Sequence, residues 1–381
     1  MITDECAGMG GYLKASSRKI AYKLALFYSW QINNIMALSN INQILLRNIE
    51  LLEGSRPLLI NLEAAGLVPE LLAHYPDASI TCFNNNFSQY QAISERFPTQ
   101  IETRFGSHYQ SEHCHDVIVI AFPKSKPELA FTLSMIADVV ADDATVIFVG
   151  DNKGGIKSVA KQSSDYIDCC MKQDNARHCL LFTGRYIKPA QAFKLSDWFS
   201  YYEIIIANES IKIAALPGVF SQKGLDKGTK VLLDNLPDKI QGKVLDFGCG
   251  AGTISVALAK LYPNIKLTLI DVSALAIASA KETLAINQLN GRCIASDGLS
   301  QVSDSFDTII SNPPFHQGLK TYYAATETFL QQCTKHMTPN SNLIVVANNF
   351  LKYQPIMREF IGGTEKTTIS NGFTVYLSNR Q

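Results

Sequence analysis

Apolar and polar positions along the chain fall into two sets of short, β-branched-rich runs separated by stretches of helix length. In the second half the runs are Lys243–Phe247, Lys266–Ile270, Phe306–Ser311 and Asn342–Ala347; in the first half they are Pro57–Leu62, Ser79–Phe83, Asp116–Phe122 and Thr145–Gly150. Continuous apolar runs alternating with helical patterns predict βα units and a parallel sheet. Helical patterns include Ile254, Val256, Leu258 and Leu261 after the first run of the second set, and Ile41, Ile44, Leu45, Ile49 and Leu52 near the beginning. Corresponding runs have similar offsets, which predicts a duplicated α/β domain.

Local text repeats as well. "LLINLEAAG" at 58–66 parallels "VLDFGCGAG" at 244–252, and "DVIVIAFPKSK" at 116–126 parallels "DTIISNPPFHQ" at 307–317. Where the second copy has Asp246, Gly248 and Gly250, the first has Ile60 or Asn61, Leu62 and Ala64. Where the second has Asn312-Pro313-Pro314-Phe315, the first has Ala121-Phe122-Pro123-Lys124. The first copy keeps the fold pattern and loses the polar and glycine residues, so it is expected to be degenerate. The domains expected are 36–195 and 200–381, joined by a linker-like stretch around Pro189 and Trp198. Residues 1–35 lack this patterning and are expected to be an extension, with Met36 as the start of the patterned chain.

Composition changes this picture little. A chain of 381 residues, 46% hydrophobic and 18% charged, has material for two buried cores. Its net charge is zero, so a nucleic-acid partner would be held by a local basic patch or by shape. The nine cysteines include no CxxC pair, and no metal site is expected. No apolar run reaches the length of a membrane span. The apolar segment Ile20–Trp30 is interrupted by Lys23 and no small-residue cleavage site follows, so a cytosolic protein is expected.

Candidate chemistry lies in the second copy. Gly248-Cys249-Gly250-Ala251-Gly252 stands between a strand and a helix, where glycines allow positive φ and close approach of a ligand to the backbone. Asp271 follows Gly252 by 19 residues at the end of the next strand, where an acid can accept ribose hydroxyls. A dinucleotide enzyme is the first rival, but its third glycine is replaced by Thr253. The Gly-x-Gly-x-Gly loop preceded by Asp246 resembles motif I of class I methyltransferases. That resemblance implies S-adenosylmethionine against the loop, its ribose on Asp271, and its adenine near Ser296 and Asp297. Asp246 could instead only brace the loop.

The run Phe306–Ser311 leads directly into Asn312-Pro313-Pro314-Phe315. Two prolines after a core strand stiffen the turn. Ligands of open α/β sheets sit beyond the strands' carboxyl ends, which places this turn beside the loop. An aromatic exocyclic amine is a poor nucleophile because its lone pair is delocalised. The Asn312 side-chain oxygen and the Pro313 carbonyl can accept both its N–H bonds and aim the nitrogen, and Phe315 can stack on the base. A purely structural turn, with Phe315 in the core, is the alternative.

Nearly the whole chain after Met36 resembles the small-subunit ribosomal RNA methyltransferase C family, which makes N2-methylguanosine in 16S rRNA. The resemblance rests on "LPGVFSQKGLDKGTKVLL" at 216–233, "KVLDFGCGAGTISVALA" at 243–259, "LTLIDVSALAIASAKETLAIN" at 267–287 and "FDTIISNPPFHQG" at 306–318, with "FPKSKPEL" at 122–129 and "RHCLLFTGR" at 177–185. It implies two tandem Rossmann-like class I methyltransferase domains, the first degenerate and without cofactor. It also implies a 16S rRNA guanine within the 30S subunit as substrate; a cytoplasmic monomer without a membrane partner is expected. By the same resemblance Phe220 and Asp226 lie in a segment that closes over the cofactor; capping and packing are their alternative roles. Lys153, Lys157, Arg177 and Arg185 are candidates for phosphate contacts, or plain surface charge. Rival readings are a sister enzyme acting on large-subunit rRNA, a protein-glutamine methyltransferase that shares the Asn-Pro-Pro turn, and an assembly factor that only binds the particle.

Overall fold

The computed structural model describes residues 38–189, 191–206, 208–313 and 319–380. The extension expected at 1–35, Met36, Pro314 and Phe315 lie outside the described residues. The helical pattern expected after Met36 becomes a helix over Asn40–Arg47 and a short 3-10 turn over Ile49–Leu52; Ser39 caps the helix, its hydroxyl accepting from the Asn42 amide at 3.2 Å.

Two seven-stranded sheets share one topology. The first contains β1 (Pro57–Ile60), β2 (Thr81–Asn84), β3 (Glu102–Phe105), β4 (His115–Ala121), β5 (Val140–Asp151), β6 (Ile167–Ala176) and β7 (Cys179–Tyr186), in the order β3-β2-β1-β4-β5-β7-β6. A two-stranded hairpin of β8 (Ser200–Ile206) and β9 (Glu209–Ala215) follows. The second sheet contains β10 (Gly242–Phe247), β11 (Ile265–Asp271), β12 (Arg292–Ala295), β13 (Phe306–Ser311), β14 (Met337–Asn348), β15 (Gly362–Ser370) and β16 (Phe373–Arg380). Its order, β12-β11-β10-β13-β14-β16-β15, repeats the first. The fold is thus α/β, with two Rossmann-like domains.

The runs read from the sequence pair parallel as expected, and each sheet is extended by two further strands into a mixed one. Five strands of each sheet are parallel, and the last two join antiparallel, β16 against β14 and β7 against β5. These added strands form hairpins whose outer member is half exposed, so they lack the continuous apolar runs that marked the buried strands. The stretch around Trp198, read as a linker, is packed: the Trp198 ring meets Phe131 edge-on at 5.4 Å.

The two copies dock through equivalent residues. The Phe87 amide donates to the Val272 carbonyl at 2.8 Å, and the Ala274 amide donates to the Asn85 carbonyl at 2.7 Å. Asn86 and Ser273, which face each other in this bridge, are the N-caps of corresponding helices, Phe87–Arg96 and Ala274–Ile286. The contact is isologous, like that of a two-fold dimer, although one chain supplies both halves. One apolar cluster runs through it, joining Ile118, Leu129 and Phe131 to Ile204, Ile213, Val244 and Ile254.

Candidate active site

In the second sheet the strand order reverses between β10 and β13, so a crevice opens above their carboxyl ends. A cavity of about 520 Å³ occupies it. Gly248, Gly250, Asp271, Ser296, Asp297, Phe220, Asn312 and Pro313 all line it. Asp246 and Gly252 stand behind the lining.

The glycine loop is pinned from below. Both the Gly248 and Cys249 amides donate to the Ile270 carbonyl at 2.9 Å. The Gly250 amide donates to Asp271 Oδ2 at 3.0 Å, while Asp271 Oδ1 accepts from the Ser273 amide at 2.9 Å. Asp271 therefore braces the loop as well as facing the cavity, a role its position in the sequence did not reveal. Burial pushes its carboxyl up from the ordinary value, and the amides of Ser273 and Gly250 oppose that shift. A Cβ on Gly250 (φ +53°) would meet nothing within 4 Å. Gly252 (φ +79°) serves packing instead. A Cβ there would lie 3.3 Å from Ala280, so this glycine lets the helix Thr253–Leu261 sit close to Ala274–Ile286.

Asp246 is fully buried. Its Oδ2 accepts from the Ser255 hydroxyl at 2.7 Å and the Ser255 amide at 3.2 Å, tying β10 to the following helix. Its Oδ1 has no hydrogen-bond partner among the described residues. Burial pushes the carboxyl up to about 7 against the pull of those two bonds. The bracing role considered for Asp246 is therefore present in the fold. Ser296 donates its amide to the Asp271 carbonyl at 3.0 Å, which holds the turn after β12 beside the same acid.

Asn312 leaves β13 at the far wall. The Ser311 hydroxyl donates to the Phe247 carbonyl at 2.7 Å and locks the ends of β13 and β10 together. Asn312 Nδ2 donates to Asp226 Oδ2 at 3.1 Å and to Thr229 Oγ1 at 2.9 Å. With both amide hydrogens engaged, Oδ1 is the group left to face a ligand. Asp226 also caps the helix Lys227–Leu233, its Oδ2 accepting from the Thr229 amide at 3.0 Å. Phe220 is 55% exposed and lines the mouth.

The sequence reading missed Asn348, Leu351, Tyr353 and Phe373, which also line the cavity. Their signal was position: Asn348 ends β14, Leu351 and Tyr353 follow it, and Phe373 opens β16 beside Asn348. Of the basic residues named from sequence, Lys153 lies beside the turn of Arg177, where the Asn152 amide donates to the His178 carbonyl at 2.8 Å. Lys157 follows in the short 3-10 helix Ile156–Ser158, whereas Arg185 pairs with Thr145 in the middle of β5. Among the described residues, no group of three or more His, Cys, Asp or Glu could hold a metal ion, and no helix is long and apolar enough to cross a membrane.

Known proteins share this arrangement. The family described as Methyltransferase small domain matches residues 210–377, and its partner, Methyltransferase small domain N-terminal, matches 42–202. The chain is 50% identical over 349 residues to ribosomal RNA small subunit methyltransferase C of Colwellia psychrerythraea, covering 90% of this chain and 98% of that one. It is 38% identical over 341 residues to the protein of the same name from Pseudoalteromonas translucida, covering 90% and 99%. The chain belongs to the ribosomal RNA small subunit methyltransferase C family. Its fold matches that of a solved T. Thermophilus 16S rRNA N2 G1207 methyltransferase in complex with AdoMet and guanosine, with a TM-score of 0.77, 19% identity, and coverage of 90% and 92%.

Members of this family are S-adenosylmethionine-dependent methyltransferases, and the second domain here fits that cofactor. The cavity falls within the usual range for small-molecule sites. Gly250 leaves open the space a side chain would fill. The buried Asp246 carboxylate, with one oxygen unpartnered, suits a ligand that brings positive charge to the loop above it. In the first domain the segment after β1 is apolar instead: Leu62, Ala64, Leu67 and Val68 are buried in the core, and Asn84 ends β2 where Asp271 ends β11.

Proposed function

We propose that the chain transfers a methyl group from S-adenosylmethionine to the exocyclic N2 amine of a guanine in 16S rRNA, at the cleft between Asn312 and the glycine loop. The observation that carries this reading is the Asn312 amide: both its hydrogens are held by Asp226 and Thr229, so its oxygen is presented as an acceptor.

Asp271 is the residue to hold the cofactor's ribose, with Ser296 and Asp297 beside the adenine and the Gly248–Gly250 backbone along the amino-acid portion. When bound, the cofactor supplies an electrophilic methyl carbon. Asn312 Oδ1 and the Pro313 carbonyl accept the two N–H bonds of the target amine, which fixes its plane and aims its lone pair. Such catalysis works by orientation and electrostatics, and no strong base is needed. Phe315, which follows Pro314 in the sequence, is the proposed stacking partner. A paired or stacked guanine must be turned out of its helix to enter.

The substrate state proposed is the assembled 30S subunit, in the cytoplasm. Lys153, Lys157 and Arg177 are the proposed phosphate contacts, the first and last being close together at one end of the first sheet. The protein is proposed to act as a monomer, since its isologous interface is satisfied within one chain.

The test is Asn312→Ala. Calorimetry should find S-adenosylmethionine affinity unchanged, while transfer to 30S particles falls by about a hundredfold or more. Near-normal turnover would remove Asn312 from the role assigned to it.

A further inference from the structure

The pair that grips Asn312 comes from a distant part of the chain, 86 and 83 residues earlier. A single oxygen, Asp226 Oδ2, accepts both the Thr229 amide of its own helix and the Asn312 side chain. A helix cap needs only the first of these bonds, and a serine would make it equally well. The second bond joins a carboxylate to the residue proposed to bind the target amine.

The orientation has a chemical consequence. Were the Asn312 amide turned over, its oxygen would face the Asp226 carboxylate, acceptor against acceptor, and its NH2 would face the N–H bonds of the amine, donor against donor. The Asp226 carboxylate, which can only accept, excludes that state, and the Thr229 hydroxyl takes the second amide hydrogen. The carboxylate also polarises the amide, and a hydrogen bond donated to an anion makes the oxygen at the other end a stronger acceptor. The target nitrogen gains positive charge as its bond to the methyl carbon forms. Stronger acceptors on its N–H bonds are therefore worth more in the transition state than in the bound substrate.

We infer that Asp226, assisted by Thr229, is a positioning residue for methyl transfer: it sets the Asn312 amide with its oxygen toward the target amine and strengthens that oxygen as an acceptor. This rests on the role of Asn312 given above. The effect belongs in kcat rather than in KM or in cofactor affinity.

The experiment measures turnover on 30S particles, cofactor affinity by calorimetry, and melting temperature, all in the full chain. Asp226→Ser keeps a capping oxygen and takes the carboxylate away from Asn312. It is expected to retain cofactor affinity, KM for particles and melting temperature while kcat falls roughly tenfold to a hundredfold. Asp226→Asn, which can keep the bond without the charge, is expected to fall between Asp226→Ser and the unmodified protein. In an Asn312→Ala background, Asp226→Ser should cause no further loss, because the residue it acts through is gone. Turnover of Asp226→Ser within twofold of the unmodified protein would overturn the inference, as would a full additional loss in the double variant. If Asp226→Ser fails to fold, Thr229→Val carries the test: a several-fold loss of kcat supports the inference, and unchanged kcat overturns it. Near-normal turnover of Asn312→Ala alone is a distinct outcome that removes the underlying reading together with this one.

Discussion

Asp246 is a carboxyl in a place where charge is costly, fully buried under the glycine loop with one oxygen unpartnered among the described residues. Its pKa, pushed up to about 7 by burial, lies above the unfolded value of about 3.9. Between those two values the folded chain holds a proton that the unfolded chain releases. The cost of this site is therefore absent below the unfolded pKa, grows as pH rises, and is complete above about pH 7. Asp271 is shifted in the same direction. The neutral variant Asp246→Asn isolates the effect. Its melting temperature relative to the unmodified protein, both without cofactor, should be more favourable at pH 8 than at pH 5. An identical difference at both pH values would show that Asp246 is not protonated in the fold.

At the scale of elements, the strand–loop–helix unit of the second domain divides its glycines between ligand and packing. Gly250 opens onto the cavity with room for a side chain, so Gly250→Arg should abolish cofactor binding while losing only about 1–2 kcal/mol of stability to its positive φ. Gly252 has the same handedness but a neighbouring helix 3.3 Å from its Cβ position. Gly252→Ala should add steric cost to a similar strain and lower the melting temperature by several degrees, with cofactor binding kept in the folded fraction. Calorimetry and thermal melts on the two variants check this division; a reversed pattern would contradict it.

These elements were legible because β10, β11 and β13 are buried on both faces and read as apolar runs, with β13 found over the predicted Phe306–Ser311. Edge strands were not. β3 is "ETRF" and β12 is "RCIA", short and half exposed, with no apolar run to mark them. The Asn312 contact with Asp226 was also invisible, since it depends on how a helix 83 to 86 residues away packs against the crevice. Phe373 reaches the cavity by the same kind of tertiary placement.

At the scale of the molecule, a duplicated fold has been put to two uses. The first copy carries buried Leu62, Leu67 and Val68 in place of the glycine loop and kept the interface that sets Asn86 against Ser273, two residues from Asp271. Duplication was readable from spacing, but the docking of equivalent helix caps was not, because each cap looked local. The full chain should bind S-adenosylmethionine with a stoichiometry near one per chain by calorimetry, and Gly250→Arg should leave no residual binding. A second equivalent, or binding that survives in Gly250→Arg, would place a working site in the first domain.

The most direct test of the central claim is the identity of the methylated nucleoside. The full chain is incubated with isotopically labelled S-adenosylmethionine and 30S particles from cells lacking this enzyme, and the 16S rRNA is digested to nucleosides. The account predicts label in N2-methylguanosine, close to one per particle, and none when Asn312 is alanine. Label in another nucleoside or in ribosomal protein, or undiminished label with Asn312→Ala, would contradict it.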